Sequence, residues 1–103
     1  MFLHKTMIIF VNVFTVLPEK QEDAFLNIQK VYMDVVRHQP GFISAKLLVS
    51  DDNTRVTAIA NWESEADLKA MRETQGFKDL HNPEFSQAIV SNDGHVYSTV
   101  VEI

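Results

Sequence analysis

The segment Met7–Val16, MIIFVNVFTV, constrains the fold more than any other stretch of the chain. It is rich in β-branched and aromatic residues, which predicts a strand. One parity carries Ile8, Phe10, Asn12, Phe14 and Val16; the other carries Met7, Ile9, Val11 and Val13. Both faces are apolar, so both need cover. Asn12 is the single polar residue on its face, set between two phenylalanines. A buried amide costs roughly 1–3 kcal/mol when its hydrogen bonds are unmet. Asn12 therefore bonds a neighbouring backbone or a partner chain, or it points into a cavity and meets a ligand.

The rest of the chain supplies the cover. Pro18 ends the first strand and suits a helix start, with Glu19, Glu22 and Asp23 in the first turn. Phe25, Ile28, Tyr32 and Val35 recur at helical spacing. Pro40 and Gly41 predict the helix end near His38. Phe42–Ser50 reads as a second strand, Asp51-Asp52-Asn53 as a turn and Thr54–Trp62 as a third strand, together a hairpin. Ser64, with Asp67 three residues on, resembles a capping box for a helix whose apolar side is Leu68 and Met71. Gly76 is expected to break that helix, leaving Phe77–His81 as a short turn. Asn92-Asp93-Gly94 reads as a turn before a last strand at Val96–Ile103.

The order β-α-β-β-α-β predicts an α+β, ferredoxin-like fold: one antiparallel sheet with both helices on one face. Residues 7–103 form the single expected domain, and Met1–Thr6 are expected to be an N-terminal extension. The sheet face without helices stays apolar, so a second sheet is expected to pack on it in a homodimer.

Composition narrows the chemistry. Net charge is −5, without a basic stripe, which argues against nucleic acid. The absence of cysteine removes disulfides, thiolate metal sites and cysteine nucleophiles. The apolar start is too short and too interrupted for a membrane span or a signal peptide, so a cytoplasmic protein is expected. There is no glycine-rich phosphate loop and no nucleophile elbow. Two more residues stand beside Asn12 as candidates. Trp62 ends the third strand on the parity of Val56, Ala58 and Ala60, whose small side chains leave room for either the first helix or a ligand. A tryptophan there is ordinarily a core anchor. His81 is ordinarily a solvated loop residue, yet its place also suits a cavity mouth, as base or metal ligand. His4, His38 and His95 show no metal-ligand spacing with it.

The segments PGFISAKLLVS, NWESEADLKAM and GFKDLH resemble the antibiotic biosynthesis monooxygenase superfamily of dimeric α+β barrel proteins. Within it, the haem-degrading members use an Asn, Trp and His that match Asn12, Trp62 and His81 here. That resemblance implies haem as cofactor and substrate and His81 as ligand to the haem iron. It also implies Trp62 pressing on the macrocycle, Asn12 bonding an iron-bound ligand, and an external electron donor. Lys69, Arg72 and Lys78 would then meet the propionates or simply face solvent. Cofactor-free members, which oxidise aromatic polyketides or quinols, carry an Asn four residues before the Trp and a Tyr six residues after it. Those positions are Ala58 and Leu68 here, and a third branch's helix-two histidine is Ala70. A non-catalytic dimeric ligand-binding domain is the remaining alternative.

Overall fold

The computed structural model describes residues 2–79 and 87–103. His81 and the Asn82-Pro83 loop lie outside them. Four antiparallel strands form one sheet in the order β2-β3-β1-β4: β1 Phe2–Val16, β2 Phe42–Val49, β3 Arg55–Trp62 and β4 Ile89–Val101. The helices are α1 Gln21–Asp34, α2 Glu65–Arg72 and the short α3 Gln75–Asp79. β1 lies inside the sheet, paired with β3 on one side and β4 on the other. From Phe2 onward the chain is already β1, with Phe2 and Leu3 pairing with Val101 and Val100 of β4, and an irregularity follows between His4 and Ile9.

Register sorts the faces. Ile8 stands opposite Trp62, Phe10 opposite Ala60, Asn12 opposite Ala58 and Phe14 opposite Val56. Directly paired residues share a sheet face, and this face carries the helices. Val31 and Val36, with Leu68 and Met71 of α2, pack on Ile8, Phe10, Ala60 and Trp62. Ala24 and Ile28 of α1 pack on Phe14, Val16, Val56 and Ala58. The small residues Ala24, Ala58 and Ala60, all fully buried, let the helix and sheet come close. The room beside Trp62 is thus filled by helices.

Local chemistry fixes the connections. Ser64 Oγ accepts from the Asp67 backbone N–H at 3.1 Å and donates to Asp67 Oδ2 at 2.9 Å, the expected cap of α2. Gln21 is buried at the start of α1, where its Nε2 donates to the carbonyls of Ser50 and Arg55, each at 3.0 Å. One side chain so pins the helix to the ends of the β2–β3 hairpin. In the turn, Asp52 accepts from the Thr54 and Ser50 hydroxyls and the Thr54 N–H, which hold its carboxyl down at about 2.

Two expectations are corrected. Helix α2 ends at Arg72, not at Gly76, because the Thr74 hydroxyl donates to the Met71 carbonyl and accepts from the Phe77 N–H; Gly76 lies within α3. Asn92-Asp93-Gly94 is not a turn but the inside of β4, paired with Phe14, Val13 and Asn12. Gly94 is needed there for closeness: a Cβ on it would stand 2.8 Å from Cζ of Phe10.

Candidate functional site

Asn12 faces a cavity of about 370 Å3 between the β1–β4 half of the sheet and the helices. Its floor is Phe10, Asn12 and Phe14 of β1 with Ile89, Asn92 and Gly94 of β4. Ile28, Val31 and Tyr32 of α1 cover it, and Met71, Arg72 and Phe77 close the other side. Strand alternation explains the floor: Asn92 and Gly94 share a face because they are two residues apart, and Gly94 is the register partner of Asn12. Asn92 Nδ2 donates to Asn12 Oδ1 at 3.2 Å. Among the described residues this is the Asn12 side chain's one hydrogen bond, so its own Nδ2 keeps its donors for a ligand.

Two further groups give the cavity its electrostatics. Arg72, in the last turn of α2, lies over the Phe10 ring with Cζ 4.6 Å from its centroid. The ion pairs among the described residues, Lys30–Asp34, Lys78–Glu73 and His95–Asp93, leave Arg72 out. Tyr32 is the other. Burial pushes its hydroxyl up to about 12 from 10.0, and the charge of Arg72 opposes that only in part. Tyr32 therefore stays a hydrogen-bond donor at any physiological pH. A raised pKa means the folded state holds its proton when the unfolded chain has lost it. The stability this contributes is whole below about pH 10 and is lost as pH rises toward 12. Urea titrations are expected to show that loss in the wild type and a flatter profile in Tyr32→Phe. An identical alkaline slope in both would contradict it.

The structure brings together Asn12, Tyr32, Arg72, Asn92 and Gly94, and leaves Trp62 elsewhere. Trp62 has no exposed surface and meets Phe42 edge-on at 5.5 Å between ring centres. It pairs with Ile8, four positions along β1 from Asn12, which is about 13 Å at roughly 3.3 Å per residue. It lines no part of the cavity. The expected haem reading draws Asn12 and Trp62 around one macrocycle; of the two, Asn12 alone lines this cavity. His81 lies outside the described residues. Among those residues, no three His, Cys, Asp or Glu side chains gather as a metal site, and no helix is long and apolar enough to cross a membrane.

Sequence reasoning missed Tyr32, Asn92 and Gly94 as cavity residues, and it placed Arg72 as a partner for propionates or a charge facing solvent. The readable signal was period-two alternation continuing through the turn-like Asn92-Asp93-Gly94.

The curated tetracenomycin-F1 monooxygenase of Streptomyces glaucescens is 48% identical over 61 residues. That match covers 59% of this chain and 54% of the relative, so the chain accounts for about half of the relative's length. The cofactor-independent oxygenase SnoaB of Streptomyces nogalater has a similar fold, with a TM-score of 0.68 at 22% identity over 89% of this chain and 91% of that one. A protein of Shewanella oneidensis superposes over 98% of this chain and all of its own, with a TM-score of 0.81 at 18% identity. The family model for antibiotic biosynthesis monooxygenases matches residues 7–83, and with the sheet order and helix placement above, the chain belongs to that family.

Proposed function

We propose that this protein is a cofactor-independent monooxygenase that oxidises a fused-ring aromatic substrate in the cavity beneath Tyr32. The observation that carries the reading is the register pair Asn12 and Ala58. Cofactor-free relatives resemble this chain but carry their amide on the third strand, where this chain has Ala58. Asn12 stands directly opposite on the same face, within about 5.5 Å between backbones. An amide donor is so supplied to the same region from the neighbouring strand. The aromatic walls Phe10, Phe14, Tyr32 and Phe77 suit a flat apolar ring system. The likeness to a tetracenomycin monooxygenase and to a cofactor-independent oxygenase supports the same reading.

Without a cofactor, the substrate itself must supply the electrons. A ring methylene flanked by aryl groups does so. Its carbon loses two hydrogens and four electrons and gains one oxygen as a ketone; the other oxygen atom of O2 leaves as water. The reactive form is the enolate left when the methylene loses a proton. Asn12 would donate to the oxygen of that enolate, and the apolar walls would exclude water. An external electron donor, expected for haem chemistry, has no part in this balance.

Oxygen uptake with 1,8-dihydroxyanthrone tests the reading. The wild type is expected to consume one O2 per anthrone and form the quinone; Asn12→Ala is expected to lower the rate about 10- to 100-fold, the scale of one lost oxyanion donor or somewhat less. Uptake no faster than in buffer would sink it.

The active unit in this reading is a homodimer. Ile9, Val11, Val13 and Ile59 are only half-buried on the helix-free face, and Leu48 and Tyr97 are 49% and 43% exposed beside them. Light scattering at micromolar concentration is expected to report two chains, and Val11→Asp, at the sheet's centre, one. A monomeric wild type would overturn this part.

A further inference from the structure

We infer that the cavity binds its aromatic ligand as an oxyanion, and that Arg72 is the residue that selects that charge. The inference rests on the cavity being the ligand site and goes beyond it by naming the ligand's ionisation state. The chain as a whole is acidic, with 14 Asp and Glu against 9 Lys and Arg. The cavity inverts that balance. Among the described residues its wall holds one cation, Arg72, and no carboxylate. Its other polar side chains, Asn12, Asn92 and Tyr32, all offer donors.

Arg72 is placed for the task. Its guanidinium lies over Phe10 rather than on a carboxylate, so its charge is not neutralised by a neighbour among the described residues. The Phe10 ring is itself confined, since Gly94 beneath it has no room for a side chain. A stacked guanidinium keeps its edge donors free while its face is held by the ring. The bland account of Arg72 is a cation in the last turn of α2, favoured there by the helix dipole. That account explains the charge but not the position over a cavity wall.

The walls decide which anion. A compact ion such as phosphate or acetate would give up its hydration to a mostly apolar lining with only one cation in return. A fused-ring phenolate or enolate spreads its charge over the rings and buries a largely apolar surface, so it loses far less. Holding that form at the site also favours the electron-rich species that reacts with O2. Arg72 thus acts on the ligand's proton equilibrium, while Asn12 contacts its oxygen.

The test uses 1,8-dihydroxyanthraquinone, which has no methylene to oxidise and turns from yellow to red when its phenol ionises. The dye is titrated with pH, free and bound to wild type, Arg72→Gln and Arg72→Lys, with circular dichroism as a check of folding. The bound dye is expected to ionise about one pH unit below the free dye, the lower end of the shift given by a nearby opposite charge because Arg72 is exposed. Arg72→Gln is expected to erase the shift and Arg72→Lys to keep part of it. A merely structural Arg72 would change affinity or melting but not the colour transition. Dye that binds the wild type with an unshifted or raised transition overturns the inference and leaves the proposed oxidation standing. Dye that does not bind the wild type, with no oxidation of the anthrone, overturns both.

Discussion

Trp62→Ala is expected to lower the free energy of unfolding by about 3–5 kcal/mol, the usual cost of emptying a large aromatic site. Against a total of roughly 5–15 kcal/mol for a domain, that is the largest single loss foreseen in this chain. The ring is fully buried in one apolar cluster with Ile8, Val31 of α1, Val36, and Leu68 and Met71 of α2, and meets Phe42 edge-on. The site cannot collapse easily, because it joins β3 to both α1 and α2. Among the described residues, Nε1 of Trp62 is buried without an acceptor. Its polar end therefore adds nothing to stability, and Trp62→Phe is expected to cost much less, about 1–2 kcal/mol, as volume is lost but an unmet donor is removed. Urea denaturation followed by circular dichroism measures both. The pair also separates two roles for Trp62. A Trp62→Phe protein with near-normal stability and abolished oxidation would mean the indole acts on the substrate; retained oxidation would mean it is core.

Gly94→Val is expected to abolish dye and anthrone binding, by 100-fold or more, with a loss of about 1–3 kcal/mol in stability from overpacking. Even a single Cβ at this position meets Phe10 at 2.8 and 3.1 Å and Asn12 Oδ1 at 3.4 Å. Phe10 is only 6% exposed and carries Arg72 above it, so it has little freedom to withdraw. The two branches of valine would then occupy the space beside Asn12. Gly94→Ala should give an intermediate loss. Fluorescence quenching of the bound dye reads the affinity, and a Gly94→Val protein that binds as tightly as the wild type would show that the ligand sits elsewhere.

Much of this architecture was legible because it is local. The β-branched and aromatic run of β1 marked a strand with two apolar faces, and Ser64 with Asp67 wrote the start of α2. Asn12 stood out as the one amide on an apolar face, and that face did turn out to line a cavity. What was illegible depends on contacts between distant segments. Tyr32 falls in the apolar stripe of α1 and reads as ordinary core. Arg72 sits among the charges of α2 and reads as solvated, since nothing local announces the Phe10 ring beneath it. Asn92, Asp93 and Gly94 have turn chemistry, but β1 captured them as a strand, and the glycine answers to Phe10, more than eighty positions earlier. At Trp62 the small neighbours left room for either a helix or a ligand, and only the packing of distant segments shows helices there.

One strand connects the two halves of this picture. Along β4, Asn92 and Gly94 look into the cavity, while Asp93, His95 and Tyr97 look the other way, onto the face proposed to meet a second copy. The wall between pocket and partner is thus a single backbone thick. A ligand that favours one position of β4 and a partner that favours the same position assist each other, and thermodynamic reciprocity makes the assistance equal in both directions. If the proposed pairing and oxidation both hold, whatever factor the substrate gains in affinity from assembly, assembly gains from the substrate, and a ligand that favours assembly would draw a dilute protein into pairs.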